Sequence, residues 1–471
     1  MEVSQQSATK ILSDLCSDDL SAADLMRATL ARIDAVNPAV NAIVALRDAD
    51  TLMAEARAAD NSPKRGPLHG LPFAVKDTGN AAGLATTLGS PILAGNIAVS
   101  DDLAIARIRA AGAIIIGKTN VPEFGLGSHT FNPVYGLTRN PYDRAKSCGG
   151  SSGGAAVALA TGMVALADGS DVMGSLRNPA AWNNVYGFRP SWAGVPTEPK
   201  GDTFLSQLGA AGPMARSPAD IALLLNVMAG PDPRQPHSTR IAPIGPPEPR
   251  DLTGVRIGWL GDWGGACAMD DGLVSLCETS LHTLADLGAE IVPLKPPFSA
   301  AEIWDSWITL RSWETAMRLL PFADQRDQLK DSAIWELDRG LAMPAMEVHR
   351  ASVIRSNWFR RAAELFSEFD ALISPATQVW PFDVDIAYPT QIAGRQMDSY
   401  HRWMEVVIPV SLIGLPALAM PSGFGANGLP GGVQIFGPRG SDARLLAIGA
   451  AYHAATHWPQ SRRPAISPQR K

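Results

Sequence analysis

Apolar positions along the chain alternate between two periods. Within residues 5–60, "SDDLSAADLMRATLARIDAV" offers serine and acidic caps and then apolar residues at helical spacing, so the segment reads as helices. "GPLHGLPFAVKD" (66–77) is a turn leading into a short apolar strand that ends at Lys76. "DDLAIARIRAAG" (101–112) returns to the helical period and is closed by Gly112, and "AIIIG" (113–117) follows as a buried strand. The same order of strand, helix and strand recurs around 155–190. Residues 228–253 contain "GPDPRQP" and "PIGPPEP", the best linker candidate, read as a connection between elements. "TGVRIGWLG" (253–261) restarts a strand, and "DGLVSLCETSLHTLADLGAEIVPL" gives a helix and another strand. Residues 300–366 read as helical and carry Trp304, Trp307, Trp313, Trp335 and Trp358. "DALISPATQVWPF" and "GLPALAMPSGF" to "GLPGGVQIFGP" are strands broken by glycine and proline turns, and "SDARLLAIGAAYHAATHW" is a closing helix. Strands alternating with helices predict an α/β fold with an at least partly parallel sheet. No internal repeat or low-complexity tract is visible.

Composition narrows the partners. The 471 residues are 46% hydrophobic and 18% charged, ordinary for a globular protein with ample core material. The net charge of −6 and the lack of a lysine/arginine run point away from nucleic acid or a membrane surface. No unbroken apolar run of ~18 residues predicts a transmembrane helix, and residues 1–30 lack the pattern of a secretory signal. Cys16, Cys148, Cys267 and Cys277 include no C-x-x-C pair, which predicts reduced thiols in a cytoplasmic protein, with no bound metal or cofactor.

Three motif matches compete around the glycine-rich stretches. "GAIIIGKT" (112–119) fits a P-loop letter for letter, but three isoleucines favour a strand over a phosphate-cradling loop, and Lys118 reads as structural. "HAATH" (453–457) lacks the glutamate a zinc protease needs. "GGSSG" (149–153) matches the nucleophile elbow of α/β-hydrolases, and His401, His453 or His457 follow late enough to serve it. A histidine-dependent esterase using Ser151 or Ser152 is therefore an alternative. A non-catalytic binding module is another, although no repeat or basic patch supports it.

The region 147–190 supplies more parts than an elbow needs. "SCGGSSGGAAVALATG" (147–162) joins glycines and serines to a helix-like run. "ALADGSDVMGSLRNPAAWNNVYGFRP" (165–190) then places Ser170, Asp171 and Ser175 in a polar turn before a helix. Successive backbone N–H groups at Val172, Met173, Gly174 and Ser175 can form a nest for a tetrahedral oxyanion.

These segments resemble the core of the amidase signature family. "GGSSGG" and "GSDVMGSLRNPAAW" carry the likeness. "GLPFAVKD" resembles the family's lysine strand, and "GKTNVPEFGLGSHTFNPVYGLTRNPYD" the segment between lysine and serines. "DALISPAT" and "GLPALAMPSGF" to "GLPGGVQIFGP" resemble its C-terminal sheet. The likeness is dense over 66–200 and 369–452 and weak over 200–365.

The resemblance implies one amidase domain over 1–471: N-terminal helices (1–60), a catalytic core (66–200), a variable helical cover (200–365) and a C-terminal sheet and helix (366–471), around a large mixed central sheet. It implies Ser175 as nucleophile, Ser151 as a bridging serine after a cis peptide bond from Gly150, and Lys76 as general base. Gly125, Gly127, Ser128, Ser152 and Ser170 are the expected substrate-side residues. The base must be neutral, which at a reference pKa of about 10.4 costs about 4.6 kcal/mol at pH 7 unless burial lowers it. Ser170 is expected to bond the bridging serine, and Asp171 with Arg177 to form a structural ion pair. Two positions depart from the family: Met173 replaces a glycine of the oxyanion turn, and Cys148 a proline. The tryptophan-rich cover suggests an apolar or aryl pocket. The expected enzyme is a monomer or homodimer that hydrolyses a small hydrophobic or aryl amide, or an aryl carbamate. The family's glutamine-hydrolysing subunit, which amidates mischarged transfer RNA, is a further alternative.

Overall fold

The computed structural model describes residues 5–466. Helices α1 (Ala8–Cys16), α2 (Ala22–Val40) and α3 (Ala49–Asp60) fall where the apolar period places them. Each begins on a side-chain cap, since Ser7, Ser21 and Asp48 accept backbone N–H groups from Lys10, Asp24 and Thr51.

A small sheet follows, from β1 (Ile43–Val44), β2 (Pro72–Lys76) and β3 (Ile114–Thr119), in the order β1-β3-β2. β2 and β3 are parallel, with α4 (Leu103–Ala110) between them in the chain, and β1 is antiparallel to β3. Every residue of β2 and β3 is buried, including Lys76 and Lys118. "GAIIIGKT" therefore runs into a strand. Lys118 Nζ donates to the Gly79 carbonyl and lies 3.8 Å from Asp77 Oδ1. The hairpin β4 (Phe131–Asn132) and β5 (Gly136–Leu137) leads on to α5 (Gly153–Ala160).

The central sheet has eight strands. In chain order they are β6 (Leu166–Asp171), β7 (Tyr186–Arg189), β8 (Ala210–Ala215), β9 (Arg256–Trp259), β10 (Glu290–Pro293), β11 (Ala371–Pro375), β14 (Ala417–Phe424) and β15 (Pro430–Phe436). β12 (Gln391–Ile392) and β13 (Arg395–Gln396) pair only with each other. The spatial order is β10-β9-β11-β15-β14-β7-β8-β6. β10, β9 and β11 are parallel, and every pairing from β11 to β6 is antiparallel. This is the mixed α/β architecture expected. β6 lies at one edge and faces β2, joined to it by a hydrogen bond of 2.9 Å from Lys76 N–H to the Asp168 carboxylate.

Helices α6 (Arg177–Trp182), α7 (Pro218–Met228), α8 (Leu273–Asp286) and α13 (Asp442–Thr456) pack on the sheet, with the short α12 (Ile408–Leu412) preceding β14. The proline-rich stretch after α7 carries no helix or strand, and Arg107 holds its start by donating to the carbonyls of Met228, Gly230 and Pro231. The cover is α9 (Ala300–Leu319), α10 (Asp331–Leu341) and α11 (Ala345–Leu365), with α9 packed on both others. Trp304, Trp307 and Trp358 are buried in the core between cover and sheet, while Trp335 is 38% exposed. Among the described residues, no helix is long and apolar enough to cross a membrane.

The small residues of α5, "GGAAVALA", are a packing requirement. The helix is buried throughout, and a Cβ on Gly154 would stand 2.3 Å from Asn120 N and 2.6 Å from the Ala42 carbonyl oxygen, both backbone atoms. Gly154→Ala is expected to destabilise the protein by at least about 2 kcal/mol in urea unfolding, because a backbone contact of this kind cannot relax by a rotamer change.

Candidate active site

Lys76 closes β2 with its amine in a cage of hydroxyls. Nζ lies 2.9 Å from Ser151 Oγ, 2.9 Å from Ser152 Oγ and 3.0 Å from Ser170 Oγ, with the Ser170 carbonyl at 3.4 Å. Burial pushes its pKa down to about 7, against the pull of Asp168 and Asp171. A neutral amine donates two hydrogen bonds and accepts one, and hydroxyls suit it because they do either. The strand explains the burial: Lys76 follows four buried residues and is itself 1% exposed.

The glycine-serine stretch is clamped around its backbone. The Gly150–Ser151 peptide bond is cis. Ser128 Oγ donates to the Gly150 carbonyl (2.6 Å) and accepts from Gly150 N–H (3.0 Å). Thr130 Oγ1 donates to the Gly149 carbonyl at 2.7 Å, and Asn183 Nδ2 to the Cys148 carbonyl at 2.7 Å. Cys148 is buried, and burial pushes its thiol up to about 12, so the position holds an inert apolar side chain.

The turn after β6 is built on Asp171. Its carboxylate lies 2.9 Å from Arg177 Nη2 and 3.2 Å from Arg189 Nη1, and all three side chains are fully buried. Burial alone would raise its pKa, but Arg177 and Arg189 together hold the carboxyl well below the usual range. The same carboxylate accepts the N–H groups of Gly174 (2.9 Å) and Leu176 (3.2 Å). Gly174 has φ +77°, and a Cβ there would meet Asn178 Oδ1 at 2.6 Å, so only glycine fits. Among the described residues, nothing accepts from the N–H of Val172, Met173 or Ser175. Of the four expected oxyanion donors, three are free and Gly174 is already bonded.

Ser151, Ser170, Val172, Met173 and Ser175 open onto a cavity of about 260 Å³. Gly125 and Gly127 also line it, at φ +67° and +94°. Ser128 and Ser152 do not: the first clamps Gly150 and the second bonds Lys76. Ser170 bonds the lysine rather than the bridging serine. The Ser175 hydroxyl has no protein hydrogen-bond partner among the described residues, and Ser175 is 9% exposed. Met173 joins the apolar cluster around Trp182.

The walls include the apolar and aryl side chains expected, but not the tryptophans from which composition suggests them. None of the five tryptophans of 300–366 lines this cavity; its apolar walls include Leu88, Phe124, Leu319, Phe322 and Met404. Trp304, Trp307 and Trp358 bury between cover and sheet, while α9 turns another face to the cavity. Sequence reading also missed Asp168, whose carboxylate holds the Lys76 backbone, and Arg189, the second partner of Asp171. Neither carries a local signal, because each contact joins distant strands. The late histidines lie elsewhere. His401 is buried against Tyr400 and Trp304 with both ring nitrogens unbonded, His453 contacts the Tyr186 hydroxyl at 3.1 Å, and His457 meets the His453 ring edge-on.

Comparison with known proteins places the chain. The sequence model described as Amidase matches residues 24–446. The chain is 33% identical over 472 residues to an acylamidase of Rhodococcus erythropolis, covering 98% of this chain and 97% of that one. It is 34% identical over 496 residues to one of the subunits of the glutamyl-tRNA(Gln) amidotransferase of Chloroflexus aurantiacus, covering 98% and 99%. The crystal structure of a bacterial aryl acylamidase of the amidase signature enzymes superposes with a TM-score of 0.91 at 26% identity, covering 98% of this chain and 100% of that one.

The ion-pair cluster yields a stability expectation. Asp171→Asn leaves two buried guanidinium groups without a counter-charge, and unfolding by urea is expected to show a loss of about 3–5 kcal/mol.

Proposed function

The chain belongs to the amidase family and is an amide-hydrolysing enzyme, and from that premise we propose that it works through an acyl-enzyme on Ser175, with Ser151 as proton bridge and Lys76 as general base. The observation that carries this reading is the buried amine at 2.9 Å from Ser151, with its pKa brought to about 7. Neutral Lys76 takes the Ser151 proton as Ser151 takes that of Ser175. The Ser175 oxygen attacks the amide carbonyl, and the free N–H groups of Val172, Met173 and Ser175 face the charge that develops on the carbonyl oxygen. When the tetrahedral adduct collapses, the proton returns through Ser151 to the departing amine, which an amide nitrogen needs in order to leave. Water then attacks the ester by the same route. Ser151 and Ser175 line one cavity, and the transfer between them is made in the substrate complex, where catalytic hydrogen bonds tighten.

The cavity is small, and its apolar walls of Leu88, Phe124, Leu319, Phe322 and Met404 suit a small hydrophobic or aryl amide; the likeness to an aryl acylamidase supports this. An aryl carbamate fits the same acyl transfer. The enzyme is proposed to be cytoplasmic and to act as a monomer or homodimer. The likeness to the amidotransferase makes glutamine a substrate to include in any screen.

In a screen over anilides, primary amides, esters, aryl carbamates and glutamine, Ser175→Ala and Lys76→Ala are each expected to lower kcat at least about a thousandfold. Folded His401, His453 and His457 variants should retain turnover; loss in one of them, with Lys76 dispensable, would favour the histidine-dependent esterase.

Only the unprotonated amine accepts a proton, so log kcat/KM is expected to rise with unit slope up to a pKa of about 7 and then level off. A flat profile between about pH 5.5 and 8.5 is the outcome that rules against Lys76 as base.

A further inference from the structure

α9 turns Arg311, Thr315, Arg318 and Leu319 to the catalytic cavity, a spacing that puts all four on one helical face. The two arginines are the only charged side chains lining it among the described residues; no carboxylate does so. They differ in what holds them. Arg311 is buried and paired with a carboxylate: Nε lies 2.7 Å from Glu336 Oε1, Nη2 lies 2.8 Å from the Tyr400 hydroxyl, and that hydroxyl donates to Glu336 at 2.6 Å. Arg318 is exposed, and its hydrogen bond is a weak one of 3.3 Å to Thr315 Oγ1 on its own helix.

The charges around this wall do not balance. Glu336 answers Arg311, and Glu123 answers Lys330. Glu314 is the acid that Arg318 feels most, but it also faces Arg355. Its two oxygens are engaged by Gln207 N–H at 2.9 Å and the Ser206 hydroxyl at 3.2 Å. Among the described residues, no carboxylate stands within salt-bridge distance of Arg318. A planar guanidinium with most of its five donors unused, on the wall of a cavity that carries positive charge, is suited to a two-pronged contact with a carboxylate.

We propose that Arg318 is a specificity-determining residue that receives a carboxylate carried by the substrate at a distance from the scissile bond. The substrate class is then a small amide with an apolar body and an acidic end. The apolar walls hold the body, the Ser175 turn the amide, and Arg318 the acid. This rests on the amide-hydrolase reading of the same cavity.

The test compares 4-acetamidobenzoate with acetanilide, which places the acid on the amine side, and the monoamide of hexanedioate with hexanamide, which places it on the acyl side. In one of these pairs the acidic member is expected to have a kcat/KM about tenfold or more above the neutral one, mainly through KM. Arg318→Gln should bring that ratio to about one, Arg318→Lys should restore part of it, and in the unaltered protein added salt should shrink it. Ratios of one or less in both pairs, or a preference that survives Arg318→Gln or is indifferent to salt, overturn the proposal while leaving amide hydrolysis intact. Calorimetry of benzoate and hexanoate against benzamide and hexanamide, on Ser175→Ala protein with and without Arg318→Gln, separates the two readings. Arg318-dependent carboxylate binding without any amide turnover would sustain the acid site and sink the hydrolase reading.

Discussion

An amine excluded from water between two sheets is the constraint on which this site depends. Lys76 ends an apolar strand and emerges in the seam between β2 and β6, where ionisation is disfavoured. What surrounds Nζ matters as much as the burial. Had the Asp168 carboxylate met Nζ, the pair would have favoured the charged amine. It bonds the Lys76 backbone N–H instead and leaves Nζ to three neutral hydroxyls. The carboxylate thus fixes the position of the lysine through its backbone, and its charge, with that of Asp171, only partly offsets the burial that lowers the amine's pKa.

A similar separation of duties operates at the turn after β6. Asp171 gathers two arginines and two backbone N–H groups, a degree of satisfaction that buried charge requires. By engaging Gly174 and Leu176, it sets the turn while the N–H groups of Val172, Met173 and Ser175 remain available. Met173, which departs from the family's glycine, is accommodated because its side chain joins the apolar cluster and leaves its backbone N–H unbonded at the turn.

Much of this is legible in the residues. Periodicity locates the strand ending at Lys76, the helix after "GGSSGG" and the mixed α/β order, because each depends on local pattern. Lys76, Ser151 and Ser170 stand out in the sequence and come together in the fold, and the Asp171–Arg177 pair forms as expected. What escapes a sequence reading is long-range. The place of Ser152 beneath the lysine and the clamp that Ser128 puts on Gly150 both depend on how separate segments pack, which spacing does not encode. Tryptophan content misleads for a related reason: composition counts residues on a helix without telling which face looks inward, and on α9 the cavity face carries arginines.

Arg177 draws its remaining acceptors from far along the chain: the Val407 carbonyl at 3.0 Å, the Ser411 hydroxyl at 2.5 Å and the Gln434 side chain. The turn that bears Ser175 is therefore anchored by residues made more than two hundred positions after it. During synthesis on the ribosome, a nascent polypeptide could expose lysine and serines alike and still lack the frame that holds them. The frame around the turn is complete only once the segments that supply those acceptors have been made and packed.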